Sequence, residues 1–410
     1  MTVNNGRFFV DGAPHSFVGA NLWCSAYLGA DAPFGNRERL RRELDRLAAM
    51  GVTNLRILAA SERSPLRNAV DPAFHDQNEW NEALLQGLDF VLAEMAARGQ
   101  RAVLYLTNFW EWSGGMMTYL YWTNGGRFVD MDDPTQPWPA FPDATAQFYA
   151  SRSAVERFTD ALQTLVLRTN SITGQPYRDD PTIFSWQLAN EPRPGVSQDV
   201  VEQNIDAYCS WIQSTARLIK SLDPNHLVAT GSEGLVGSGN RADYYLRAHD
   251  SSDIDYLTAH IWPQNWNWIT PHDLDATFSN AERLTQNYIQ AHIEFAQQLG
   301  RPLVIEEFGF PRDGGRFDCE SSTHFRDRFY ALIHDAVLES VRSNGPLLGS
   351  NFWAFGGEGR AKHADFLLQK GESDYLGDPP HEPQGWYSVF DTDQSTIHAI
   401  YAHAQHLKSL

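Results

Sequence analysis

Short apolar runs, rich in β-branched residues and bounded by Gly, Pro, Asn or Asp, alternate with longer stretches whose apolar positions recur three and four apart. The first pattern reads as buried strands and the second as amphipathic helices. Strands are predicted over residues 16–21, 53–58, 101–107, 183–188, 227–230, 256–260, 303–307 and 348–353. Helices are predicted near 37–50, 80–98, 153–168, 199–222, 279–299, 323–343 and 396–407. Repeated strand–helix units imply a parallel sheet, and eight of them imply a closed (β/α)8 TIM barrel with its chemistry on the loops after the strands. An open doubly wound sheet is the alternative, but no glycine-rich phosphate loop follows the first strand.

At 410 residues the chain exceeds the usual size of a single core. Barrels nevertheless absorb long loop insertions, so the expectation is one catalytic domain over 1–410. No internal repeat or linker interrupts it. Long loops are predicted at 108–150, 261–277 and 354–393, after the third, sixth and eighth strands. They are aromatic-rich rather than low in complexity, which predicts the walls of a cleft.

The net charge of −19 and a pI near 5.1 argue against nucleic acid or an anionic membrane as partner and suit a neutral substrate. Thirteen tryptophans, many beside Gly, Pro or Asn, predict flat loop surfaces on which the C–H faces of sugar rings stack. The N-terminus shows no basic segment followed by an apolar one, and no run reaches the length of a membrane span. The expectation is a cytoplasmic protein, or a secreted or periplasmic one whose leader has been trimmed. Cys24, Cys209 and Cys319 are odd in number and lack metal-ligand spacing, so free thiols, no metal and no cofactor are expected. Oligomeric state is not legible.

Two carboxylates then change the picture. Glu191, in Asn190-Glu191-Pro192, and Glu307, in Glu306-Glu307-Phe308-Gly309, each end a predicted strand. Two strand-end glutamates can meet across a barrel mouth at the separation of about 5–5.5 Å that retaining glycoside hydrolysis needs. Alternation along the strand groups Leu303, Ile305 and Glu307 on one face, and Val304 and Glu306 on the other. If the first face points inward, Glu307 reaches the site and Glu306 supports it. The plainer reading makes Glu191 a turn residue and Glu307 a loop ion-pair partner.

The segments 19–23, Asn54-Leu55-Arg56, 106–110, 186–193, His260-Ile261-Trp262, 306–309 and Asn351-Phe352-Trp353, in that order, resemble retaining glycoside hydrolases of family 5, clan A, most closely the β-mannanase and β-mannosidase subfamily. The resemblance implies Glu191 as general acid/base and Glu307 as nucleophile. Asn190 would bond the sugar 2-hydroxyl, and Arg56 would keep the nucleophile ionised, a barrel-mouth ion pair being its plainer role. His260 would contact the site carboxylates. Trp262 stands where many family members carry a tyrosine that bonds the nucleophile; an indole N–H donates but cannot act as a phenol. Trp353 would floor the −1 subsite, and Trp110 and Arg193 would line the cleft, with Asn108 similar in placement. Trp110 also suits a core position and Arg193 a solvated charge.

The proline-rich loop 377–386 also resembles this subfamily, and a rigid loop of that kind can close one end of a cleft. The implied function is metal-independent hydrolysis of β-1,4-mannan or manno-oligosaccharides, leaning to exo action. The alternatives are an endo-β-1,4-mannanase, a β-glucanase, a transglycosylase and a non-catalytic sugar-binding protein.

Overall fold

The computed structural model describes residues 1–410. Eight parallel strands form the central sheet: β1 (Phe17–Asn21), β2 (Asn54–Leu58), β3 (Arg101–Tyr105), β4 (Ile183–Gln187), β5 (Leu227–Ala229), β6 (Leu257–Ile261), β7 (Leu303–Phe308) and β8 (Leu347–Phe352). Their order is β5-β4-β3-β2-β1-β8-β7-β6, with β1 beside β8, so the sheet wraps round on itself. Between β5 and β6 no ladder forms. The gap is bridged by Val228 N to Asp255 Oδ2 at 2.7 Å, Asp255 N to Val228 O at 2.8 Å and His260 N to Glu233 O at 3.0 Å. The molecule is a (β/α)8 TIM barrel, as the strand–helix alternation predicts.

Every predicted helix is present, with ends shifted by a few residues; the longest is Leu274–Leu299. That helix stops at Gly300, whose φ of +65° lets the chain reverse so that Arg301 N bonds back to Ala296 O at 2.9 Å. Pro302 follows and β7 begins at once. No helix is long and apolar enough to cross a membrane.

Two layers of apolar packing result. Outward strand residues such as Leu55, Leu104, Leu303 and Ile305 join the large core between barrel and helices. Inward residues Phe17, Val103, Phe184, Leu227, Val304 and Leu348 fill the barrel floor, and Phe8 plugs it from below. Phe8 arrives on an antiparallel sheet, Thr2–Asn4, Arg7–Val10 and Ala13–His15, that the strand reading did not predict. Its turns are Asn5-Gly6 and Asp11-Gly12, with φ of +48°, +69°, +50° and +81°. Asn-Gly and Asp-Gly are the pairs that tolerate two successive positive φ values in a tight hairpin.

The loops after β3 and β5 are also more ordered than expected. Residues 108–150 contain helices Gly115–Thr123 and Ala140–Thr145, and a helix at Ala242–His249 precedes β6.

Candidate active site

The predicted carboxylates meet at the C-terminal mouth of the barrel. One carboxylate oxygen from each of Glu191 and Glu307, with a ring nitrogen of His260, lie within 4.8 Å of one another. Glu191 turns off the end of β4 with a φ of +49°, a conformation rare for a residue with a Cβ. Glu307 reaches the mouth by a route that alternation did not predict. Leu303 and Ile305 face outward and Val304 inward, so strict alternation would aim Glu306, not Glu307, into the barrel. The pairing of β7 with β6 slips between Ile305 and Glu307. An extra residue in one strand re-aims the side chains beyond it, and here it brings both glutamates inside.

Arg56, fully buried in the middle of β2, organises what lies beneath. Its Nη1 pairs with Glu307 Oε1, Nη2 donates to Asn190 Oδ1 at 2.7 Å, and Nε donates to Gln187 Oε1 at 2.8 Å. Glu306 sits 3.5 Å from Nε and accepts from Gln187 Nε2 at 2.5 Å, so it belongs to the supporting layer. Tyr105 stacks beneath the guanidinium at 4.5 Å. Burial disfavours the cation, but the charges of Glu307 and Glu306 outweigh it and raise the Arg56 pKa further. Removing one partner of a buried, hydrogen-bonded ion pair costs about 3–5 kcal/mol because the other charge stays behind.

His260 ends β6 and bridges the two carboxylates, with Nδ1 2.7 Å from Glu191 Oε1 and 3.2 Å from Glu307 Oε2. Burial alone would make this imidazole a weak base. The charge of Glu307 and hydrogen bonds to the surrounding carboxylates overcome burial and raise its pKa well above 6.5. Burial likewise pushes Glu191 up, but the bond from His260, the charges of His260 and Arg193 and the Trp110 indole outweigh it and hold Glu191 down at about 2. The Glu191 carboxylate accepts from the His260 imidazole and two indoles, and the Glu307 carboxylate pairs with Arg56.

Trp110 donates its indole N–H to Glu191 Oε2 at 2.5 Å, and Arg193 lies 4.9 Å over its ring. Trp262 donates to Glu191 Oε1 at 3.2 Å, so the indole that stands where many family members carry a tyrosine is aimed at Glu191 and not at Glu307. Trp353 ends β8, lines the cavity floor and keeps its indole N–H unpartnered. Asn190 lines the cavity, whereas Asn108 does not. Asn108 is fully buried and accepts from Asn190 Nδ2 at 3.0 Å, so it orients Asn190 from behind instead of lining the cleft.

Sequence reasoning singled out none of Glu233, Trp112, His381 and Glu382, all of which line the same cavity of about 590 Å³. Glu233 follows β5 and pairs with Arg193 at 2.5 Å; burial, opposed by the Arg193 charge, pushes it up to about 7. Its place three residues past the strand was the available signal. His381 and Glu382 come from the proline-rich loop after β8, where the sequence signalled rigidity but not which side chains point inward.

That loop is built to stay in place. Asp378, fully buried, accepts from Gly385 N and Tyr387 N at 2.7 Å each and from Ser388 Oγ at 2.5 Å. Gln384 Nε2 donates to Asp378 O, Pro379 O and Glu382 O within 3.2 Å. Buried Arg326 caps Ser388 O and Phe310 O, and Trp386 and Tyr387 reach across to Gln264 and Asn265. His381 lies parallel to Trp112, 4° between planes and 6.5 Å between centroids. Burial, with the charges of Asp378, Glu307 and Glu191, pushes Glu382 well above the usual carboxylate range.

The barrel mouth thus gathers two carboxylates and a histidine in a cavity walled by indoles. A family model described as GH family 5 beta-mannosidase-like matches residues 1–410. A solved glycoside hydrolase family 5 mannosidase from Rhizomucor miehei is 33% identical, with a TM-score of 0.89 over 98% of this chain and 96% of that one. Mannan endo-1,4-beta-mannosidase 4 of Oryza sativa subsp. japonica is 30% identical over 86% of this chain and 72% of its own length. An endo-1,4-beta-mannanase from Rhizomucor miehei, 21% identical with a TM-score of 0.71 over 100% and 99% of the two chains, shares the fold. The chain belongs to the β-mannosidase-like group of glycoside hydrolase family 5 and is a glycoside hydrolase acting on β-mannosides.

Proposed function

We propose that the protein is a retaining exo-β-mannosidase that removes single mannose units from the non-reducing end of β-1,4-linked manno-oligosaccharides. Glu307, paired with Arg56, attacks the anomeric carbon. Glu191 protonates the departing oxygen and then activates water. His260 Nδ1 and Glu191 Oε1 lie 2.7 Å apart, and each favours the charged form of the other.

The observation that carries the exo reading is the wall made by His381 and Glu382. His381 and Glu382 line the same cavity as Glu191, Glu307 and Trp353; on this reading Glu191 marks the leaving-group side, Trp353 underlies the −1 sugar, and the wall takes the place where a −2 sugar would continue. Its polar atoms are unspent: Glu382 Oε2, His381 Nδ1 and Trp353 Nε1 are all buried without a partner. Buried polar groups left unpaired are costly, and a ring bearing free hydroxyls at carbons 3, 4 and 6 would satisfy them. Burial pushes the Glu382 pKa well above the usual carboxylate range, which favours the form that donates as well as accepts. The Rhizomucor miehei mannosidase, captured in one structure with mannosyl-fructose, supports the same substrate class.

The rice relatives, named as mannan endo-1,4-beta-mannosidases, favour the competing reading of internal cutting in mannan. Galactomannan separates the two readings. An exo enzyme releases reducing sugar while viscosity stays nearly constant, whereas an early collapse of viscosity would overturn the proposal.

A further inference from the structure

Trp138 is the most exposed large apolar side chain of the protein, 60% accessible, yet its backbone is among the better anchored parts of the rim. It lies between Pro137 and Pro139 at the start of the helix Ala140–Thr145. Ala140 N bonds to Pro137 O at 2.9 Å, and Asp143 N to Pro139 O at 3.1 Å. The Asp143 carboxylate then clamps the loop after Glu191, accepting from Val196 N at 2.7 Å and Ser197 N at 3.0 Å. Trp138 is therefore tied, through Asp143, to the loop that follows Glu191, which on the exo-mannosidase reading is the leaving-group side. An exposed indole costs solvation, and a rigid support removes most of the entropy that stacking on it would otherwise require.

Its ring is 19° from parallel to Trp110, with centroids 6.2 Å apart. Trp110 has its N–H committed to Glu191, so it borders the sugar that accepts the proton. Trp138 is the next aromatic surface outward, and it lines the same cavity.

Resting on the exo-mannosidase reading, we propose that Trp138 is a specificity-determining residue: it forms the stacking platform of a +2 subsite and gives the enzyme a preference for manno-oligosaccharides of three or more units. Mannobiose spans −1 and +1 and does not reach it. Mannotriose does, and presents the C–H face of its reducing-end ring to the indole. Such aromatic contacts are worth a factor of about 3 to 10 in binding.

The test compares kcat and KM on mannobiose and mannotriose for the wild type, Trp138→Ala and Trp138→Phe. The expected result is that the ratio of kcat/KM for mannotriose to that for mannobiose falls about 3- to 10-fold in Trp138→Ala, chiefly through KM. Trp138→Phe should restore most of it. An unchanged ratio overturns the proposal, whether both substrates suffer equally because Trp138 only supports Trp110 or neither suffers. Product identity is read in the same reactions with mannotetraose. Mannobiose as the main first product would sink the exo reading by itself, whereas mannose plus mannotriose with an unchanged ratio sinks only the platform.

Discussion

Glu62 offers a test of the framework that holds the site tryptophans. It lies just beyond β2, fully buried, and its carboxylate accepts from Thr107 Oγ1 at 2.9 Å and from Gly115 N at 2.7 Å. Its own N–H donates to Ser113 O at 2.9 Å, so it pins the turn that carries Trp110 and Trp112. Burial raises its pKa from 4.5 to about 7, and these hydrogen bonds recover only part of that. Between those values the folded protein holds a proton that the unfolded chain has lost. The stability contributed by Glu62 is therefore complete below pH 4.5 and declines as pH rises toward 7. A gap of about 2.5 pH units, at about 1.36 kcal/mol each, sets a ceiling of about 3.4 kcal/mol, of which about 2.5 falls between pH 5 and pH 8.5.

Glu62→Gln keeps the shape: the amide oxygen can accept from Gly115 N, and the NH2 can donate to the Thr107 hydroxyl, which accepts as readily as it donates. Urea unfolding of both proteins at the two pH values gives the comparison. At pH 5 the variant should lie within about 1 kcal/mol of the wild type, the scale of one exchanged hydrogen bond. At pH 8.5 it should gain a further 2–3 kcal/mol or so relative to the wild type, with the denaturant slope unchanged. An identical difference at both pH values would refute the reasoning, because it would mean that Glu62 ionises in the folded protein as it does in water.

Two further outcomes follow from the geometry. Glu191→Gln should lower kcat by about 10²- to 10⁴-fold and Glu307→Gln should abolish turnover, each in protein that still folds though less stably; near-native rates in either would remove its assigned role. His292 is buried, donates from Nδ1 to Tyr288 O at 2.7 Å and accepts at Nε2 from Leu235 N, and burial lowers its pKa from 6.5 to about 4. Its stabilisation is present above pH 6.5 and lost as pH falls toward 4, so His292→Gln should reduce the stability difference between pH 7 and pH 4.5 by about 2 kcal/mol in paired urea titrations. An acid limb as steep as the wild type's would contradict this.

The barrel was legible because its signals are periodic and repeated. Apolar runs ending in Asn54-Leu55-Arg56, Leu188-Ala189-Asn190-Glu191 and Ile305-Glu306-Glu307 announce both the strands and the residues they carry to the mouth. The N-terminal plug was signalled too, by Asn5-Gly6 and Asp11-Gly12, but short strands around tight turns carry little periodicity. What alternation could not reveal was the slip between Ile305 and Glu307, since a bulge is set by pairing with β6 and not by the residues of β7 alone. Asn108 was misplaced at the cleft for a related reason: its motif fixes its place on the strand, but only the packed barrel shows that Asn190 stands in front of it. Glu233 and Glu382 lie on loops whose course depends on contacts with distant segments, so their approach to Glu191 and Glu307 is a tertiary fact.

The proposed exo action requires His381 and Glu382 to stand as a wall beside the −1 sugar. Mannohexaose labelled at its reducing end, sampled while less than about a tenth is consumed so that secondary cuts are negligible, reads that wall directly. The account predicts unlabelled mannose and labelled mannopentaose as the first and equimolar products. A spread of mannobiose, mannotriose and mannotetraose at the earliest times would show chains passing where the wall is said to stand.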